Sequence, residues 1–178
     1  GLDFGGRGLA GLTALPQVGA VVSADEPERI DRLFGVLDSL VAERTEILGA
    51  AHASSLAEFR ASGGNLPYVV VLLDGYGAFR QAYLNVDRGE LVEKLDQLVG
   101  QGRTVGLSFV ITADRRNAVP TSLSSAIPDR LVMRMADGDE YASLGLPSSL
   151  AQAKLAPGRG FWNHDEVQIG VLGTDPSG

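Results

Sequence analysis

Residues 67–80 read PYVVVLLDGYGAFR, and the six from Tyr68 to Leu73 are apolar without a polar interruption. A run of this kind, rich in β-branched residues and showing no alternation, is what a central parallel strand covered on both faces looks like. It stops at Asp74-Gly75. Open α/β sheets bind their ligands beyond the C-terminal ends of the strands, which is where Asp74 would stand. Four or more apolar residues followed by Asp is the Walker B pattern, in which the carboxylate holds Mg²⁺ through water beside phosphates. The competing reading is that Asp74 opens the turn before the next helix, and the residues alone leave both readings open. Position 75 bears on activity. Hydrolytic members of that broad class usually carry Glu there to orient water, and here it is Gly75.

Working toward the N-terminus, Ser54 to Arg60 reads as a short helix broken by Gly63-Gly64-Asn65. Before it, Ile30, Leu33, Phe34, Leu37, Leu40, Val41, Ile47 and Leu48 recur at helical spacing, with Glu28, Arg29, Asp38, Glu43 and Arg44 largely off that face. Asp25 is the expected N-cap, Glu28 completes a capping-box pattern, and Pro27 is tolerated in the first turn. Val18 to Ser23 reads as a short buried strand or extended segment, and Leu2 to Phe4 as a strand end followed by Gly5-Gly6-Arg7-Gly8. A chain that opens inside a strand reads as a fragment whose upstream part is missing.

Working toward the C-terminus, Asp87 and Glu90 give a second capping-box pattern. Leu91, Leu95, Leu98 and Val99 form that helix's apolar face, with Gly100 and Gly102 to stop it. Leu107 to Thr112 (LSFVIT) is a buried strand with a polar end. Thr121 to Ala126 is a short helix ended by Pro128, Leu131 to Met135 a strand, and Asp139 to Leu144 one or two helical turns. After the turn Pro157–Gly160, Phe161-Trp162 and Val167 to Leu172 pair as a hairpin across Asn163 to Glu166. Strands alternating with helices predict an α/β fold, a mostly parallel sheet with helices on both faces and a C-terminal hairpin. The segments just after its strands are Asp3–Gly6, Asp74–Tyr76, Thr112–Arg116 and Arg134–Asp137.

Composition excludes several functions. With 178 residues, 44% hydrophobic and 21% charged, the chain suits one globular domain. A net charge of −7, with only Arg115-Arg116 as a basic pair, argues against nucleic-acid binding by the whole domain. Without Cys there are no disulfides or thiolate metal sites, and His52 and His164 are too far apart to pair as ligands. No apolar run approaches the roughly 20 residues that span a bilayer, and no signal peptide opens the chain. Gly6-x-Gly8-x-x-Gly11 matches the dinucleotide fingerprint, but Pro16 and Gly19 leave no room for the long helix it needs, so we reject an NAD site. There is no G-x-x-x-x-G-K-[ST], and hence no cradle for β- and γ-phosphates. Thr112, at a strand end, can serve as a sensor of the γ-phosphate or attacking water, or can simply cap the next turn. Arg115, Arg116 and Arg130 can touch phosphate, or can be ordinary solvated surface.

Taken in order, "LDFGGRGL", "PYVVVLLDGYGAFR", "VGLSFVITADRR", "AIPDRLVMRMADGDEYASLGLP" and "APGRGFW…VQIGVLG" resemble successive landmarks of the FtsK/SpoIIIE ATPase domain. The likeness is greatest to the EccC/EssC tandem ATPases of type VII secretion and related actinobacterial proteins. It implies a partial RecA-like domain over residues 1–173, beginning just after the Walker A unit, with a tail at 174–178. It also implies that Asp74 is the Walker B aspartate and carries Mg²⁺ through water, and that Thr112 is the sensor position. Arg130 falls in the family's "P-x-R" stretch, and Gly75, Gly158, Arg159 and Gly160 belong to the nucleotide pocket. ATP and Mg²⁺ are then cofactors of the intact protein, with none expected in the fragment, which should not hydrolyse ATP alone. Implied partners are adjacent ATPase domains or subunits and a secreted protein's signal peptide. Localisation is implied at the cytoplasmic face of the plasma membrane, with membrane contact only through upstream segments.

Two departures matter: Walker A is absent, and Walker B ends Asp-Gly, as in degenerate later domains of such proteins. Nothing resembles a DNA-reading winged helix, and the acidic balance favours secretion over DNA pumping. The leading expectation is a motor module of a translocation ATPase. The alternatives are a non-catalytic recognition module, an FtsK-like DNA translocase domain, or an unrelated doubly wound ligand-binding domain. In RecA-like sheets the P-loop strand is central. Its absence should leave a gap flanked by Leu107–Thr112 and Leu131–Met135, filled by an upstream piece, a swapped copy or a rearranged hairpin.

Overall fold

The structure, a computed structural model, describes residues 1–170. It divides into two compact units. The first is Gly1–Asp114 with Ala118–Ala126; the second is Arg115–Asn117 with the chain from Ile127 onward.

The first unit contains β1 (Leu2–Asp3), β2 (Val22–Ser23), α1 (Pro27–Ala50), α2 (Leu56–Ala61), β3 (Val69–Asp74), α3 (Tyr76–Tyr83), α4 (Glu90–Gly102), β4 (Leu107–Ile111) and α5 (Thr121–Ala126). Its four strands are parallel in the order β2-β1-β3-β4. The run at 67–80 therefore supplies an interior strand, as its composition requires. It is not covered on both faces. Val71 and Leu73 are buried, whereas Val70 is 55% and Val110 54% exposed. Connection direction explains this. β2→α1→β3 and β3→α4→β4 advance the same way across the sheet, and right-handed crossovers that advance the same way put their helices on the same face. The β1→β2 connection runs the other way, but carries only a 3₁₀ turn, Ala10–Ala14, with no buried residue.

On the covered face Phe79 is the hub. Its ring stacks on Phe34 of α1 at 6.0 Å and meets the edge of Phe4 at 5.3 Å. Arg44, charged and outside the apolar repeat, falls between Val41 and Leu48 on the buried side of α1. Its guanidinium donates to the Val105 carbonyl at 2.9 Å, which makes that burial tolerable.

Two expected caps are corrected. α1 begins at Pro27, so its N-cap is Glu26, not Asp25. The residue before proline is disfavoured in the helical region, which excludes Glu26 from the first turn. The Glu26 carboxylate instead accepts from Ser23 N and pairs with Arg29. Asp87 caps nothing either. Asp87, Arg88 and Gly89 all have positive φ (44°, 59° and 82°), so α4 starts at Glu90 behind Gly89. The extended conformation that an N-cap needs is unavailable to Asp87.

The second unit contains β5 (Leu131–Val132), α6 (Gly138–Ser143), β6 (Arg159–Trp162) and β7 (Asp165–Gln168). These strands are antiparallel in the order β5-β6-β7, over a core of Val132, Tyr141, Leu146 and Phe161. β5 is shorter than the expected Leu131–Met135, because beyond it the Met135 N–H donates to the Tyr141 hydroxyl at 3.1 Å. The hairpin is tighter and shifted. Trp162 pairs with Asp165 around the two-residue turn Asn163-His164, with Asn163 at φ 56°. Positions 171 and 172 of the expected strand, and the tail at 174–178, lie outside the described residues. The hairpin pairs with β5, and β4 ends the order of its own sheet among the described residues.

Candidate functional site

Strand register aligns Asp3 with Ser23 and with Asp74, and Leu73 with Ile111. One step further, Thr112 stands beside Asp74. The C-terminal edge of the first unit's sheet is thus a row of Ser23, Asp3, Asp74 and Thr112, at the position where parallel sheets bind ligands.

The Thr112 hydroxyl donates to Asp74 Oδ1 at 2.6 Å, the short range of a hydroxyl on a carboxylate, and accepts from Gly75 N at 2.9 Å. The ladder continues past the strands: Thr112 N donates to the Leu73 carbonyl and Tyr76 N to the Thr112 carbonyl, each at 2.9 Å. The predicted Asp74, Gly75 and Thr112 are therefore one bonded group.

Glycines close the other side of Asp74. Phe4 N donates to the Asp74 carbonyl at 2.8 Å. A Cβ on Gly5 would come within 2.0 Å of Asp74 Oδ2, and one on Gly8 within 3.4 Å. Gly75 has φ 80°, and a Cβ there would lie 2.8 Å from the Phe4 carbonyl carbon. A side chain at position 75 is thus opposed by both backbone conformation and space.

Asp3 heads the strand-end segment Asp3–Gly6, and its role is set by the structure. It is 4% exposed. Its Oδ1 accepts from Arg7 N and its Oδ2 from Leu9 N, both at 2.9 Å, so a buried carboxylate is satisfied by the loop it shapes. The available signal was a second strand ending in Asp, followed by glycines whose N–H groups need acceptors. The rejected dinucleotide fingerprint at Gly6, Gly8 and Gly11 leads only into the Ala10–Ala14 3₁₀ turn.

Behind the row, Tyr76 begins α3 fully buried. Burial, and then the nearby Asp96 charge, push its phenol pKa up, so it stays neutral. Asp96 Oδ2 accepts from the Ser122 hydroxyl at 2.9 Å, tying α4 to α5.

Arg130, Gly158, Arg159 and Gly160 belong to the second unit. Arg159 pairs with Glu166 across the hairpin at 3.3 Å. A Cβ on Gly160 would lie 2.8 Å from both Met133 Sδ and the Val132 carbonyl oxygen, and Gly158 has φ 75°. Packing and turn geometry thus account for both glycines. Arg130 holds the hairpin turn through its backbone, its carbonyl accepting from Asn163 N at 2.8 Å.

Asp74 suits Mg²⁺. One hard oxygen ligand at a strand end, within a glycine cradle that a Cβ would fill, matches a cation that keeps its waters and relies on few carboxylates. Among the described residues no group of three or more His, Cys, Asp or Glu is placed to hold a metal without phosphate oxygens. No described helix is long and apolar enough to cross a membrane.

A model of the FtsK/SpoIIIE family matches residues 1–167. The ESX-4 secretion system protein EccC4 of Mycobacterium tuberculosis is 29% identical over 141 residues, 76% of this chain and 11% of that protein. The ESX secretion system protein EccC of Thermomonospora curvata is 28% identical over 168 residues, 90% of this chain and 12% of that protein. The solved structure of Thermomonospora curvata EccC (ATPases 2 and 3) in complex with a signal sequence peptide superposes with a TM-score of 0.79 at 26% identity. It covers 93% of this chain and 30% of that one. The chain therefore spans about a tenth of the length of these protein relatives.

Proposed function

The chain belongs to the FtsK/SpoIIIE family, and from that premise we propose that it is a nucleotide-binding motor module of a membrane-associated secretion ATPase of the EccC/EssC type. The observation that carries the reading is the bonded group of Asp74, Gly75 and Thr112 at the sheet's C-terminal edge. ATP with Mg²⁺ would supply the cleavable phosphoanhydride and neutralise its charge. Asp74 would hold the metal through water. Thr112 orients that carboxylate and, being exposed, senses the phosphate end of the pocket. A neighbouring domain or subunit would supply an arginine, and an upstream Walker A segment would complete the phosphate cradle. The working location is the cytoplasmic face of the plasma membrane, reached through the parent protein.

Gly75 favours a second reading, a degenerate module that binds rather than hydrolyses. Its left-handed backbone and lack of space oppose the glutamate that would orient water. Such a module would dock a neighbouring ATPase domain or a secretion signal peptide, the kind of ligand bound in the Thermomonospora curvata structure. The net charge of −7 weighs against the third alternative, DNA translocation. Asp74→Asn in the intact protein separates the first two. A motor loses hydrolysis, with Mg-ATP binding weakened by about tenfold or more. Unchanged hydrolysis with lost partner binding supports the recognition module.

A further inference from the structure

Arg7 lies in the loop that rests on Asp74, between Gly5 and Gly8, two glycines whose added Cβ would meet that carboxylate. Its φ is 71°, in the left-handed region that non-glycine residues rarely occupy. Strain of this kind persists where surrounding structure enforces it, and it gathers at ligand sites. Here the enforcement is visible. The buried Asp3 accepts from Arg7 N with one oxygen and from Leu9 N with the other. The side chain is exposed, and among the described residues its guanidinium has neither an ion-pair nor a hydrogen-bond partner. Asp3 and Asp74 make the row acidic and Thr112 is neutral, so a triphosphate drawn to this edge, still anionic with one Mg²⁺ bound, needs a further cation. The guanidinium fork matches phosphate oxygens in pairs.

We propose that Arg7 is a phosphate-binding residue that contacts the terminal phosphate of a nucleoside triphosphate held at Asp74, with Asp3 as the residue that positions it. The inference rests on the nucleotide reading given above. The test is equilibrium binding of Mg-ATPγS and of Mg-ADP to the intact protein and to its Arg7→Gly and Arg7→Lys variants. Glycine relaxes the left-handed backbone while deleting the charge, so the melting temperature of Arg7→Gly should equal or exceed that of wild type. Binding of Mg-ATPγS should weaken about tenfold or more, the loss expected for a charged hydrogen bond, with Mg-ADP changing less than about twofold. Arg7→Lys should fall between. Equal loss of both nucleotides, or loss of neither, overturns the role of Arg7 and leaves the nucleotide reading standing. Wild-type protein that binds neither nucleotide overturns both. A lower melting temperature for Arg7→Gly would contradict the backbone conformation on which the inference stands.

Discussion

The first unit sets helices on one face of a parallel sheet whose strands are far apart in sequence, whereas the second closes three short antiparallel strands over Val132, Tyr141, Leu146 and Phe161. Parallel pairing needs long crossovers and commits the chain to non-local contacts, while a hairpin closes locally around two residues. The candidate residues divide in the same way. Asp74, Gly75 and Thr112 are held by strand ends, whereas Gly158 and Gly160 are held by turn and hairpin packing.

Trp162, the chain's single tryptophan, lies in the second unit, so its fluorescence reports that unit, while far-ultraviolet dichroism reports mainly the helices of the first. The largest effect should come from Phe79→Ala. Loss of a fully buried ring at the aromatic hub should cost about 3–5 kcal/mol of first-unit stability. Denaturant unfolding should show the dichroism transition shifted with the Trp162 transition little moved; equal shifts would make the two units one cooperative body. A smaller loss is expected from Gly75→Ala, about 1–3 kcal/mol, because it meets both a left-handed backbone and the Phe4 carbonyl. The same dichroism titration would show it, and a neutral result would mean that the Phe4–Gly5 segment yields. The smallest is Tyr141→Phe, which deprives the Met135 N–H of its acceptor and should cost about 1 kcal/mol. That loss should appear in the Trp162 signal and leave the dichroism transition in place.

The legible part of the fold was carried by long apolar patterns. The interior strand at 69–74 and the helix over 27–50 follow from apolar residues whose burial leaves little choice. Caps were less legible, because one backbone angle decides them. The Asp-x-x-Glu pattern failed at Asp25, displaced by Pro27, and at Asp87, which is left-handed. It holds at Asp137, where the side chain accepts from Glu140 N at 2.9 Å. Ser55 caps the second helix in the same manner, accepting from Glu58 N at 3.2 Å. The exposure of Val70 and Val110 was not legible, because a strand's own residues do not encode the direction of the crossovers beside it. Asp3 was legible only as the head of the strand-end segment Asp3–Gly6, because its partners are backbone N–H groups, which carry no letter in a sequence.

The bare flank carrying Val70 and Val110 adjoins the edge of β4, which has no further strand beside it among the described residues, and such a surface gives a short-range attraction between like molecules. Opposing it is the mutual repulsion of bodies that each carry a charge of −7, which acts at long range and fades as ions screen it. How long this chain stays dispersed in a tube is therefore set by the buffer's salt as much as by its fold.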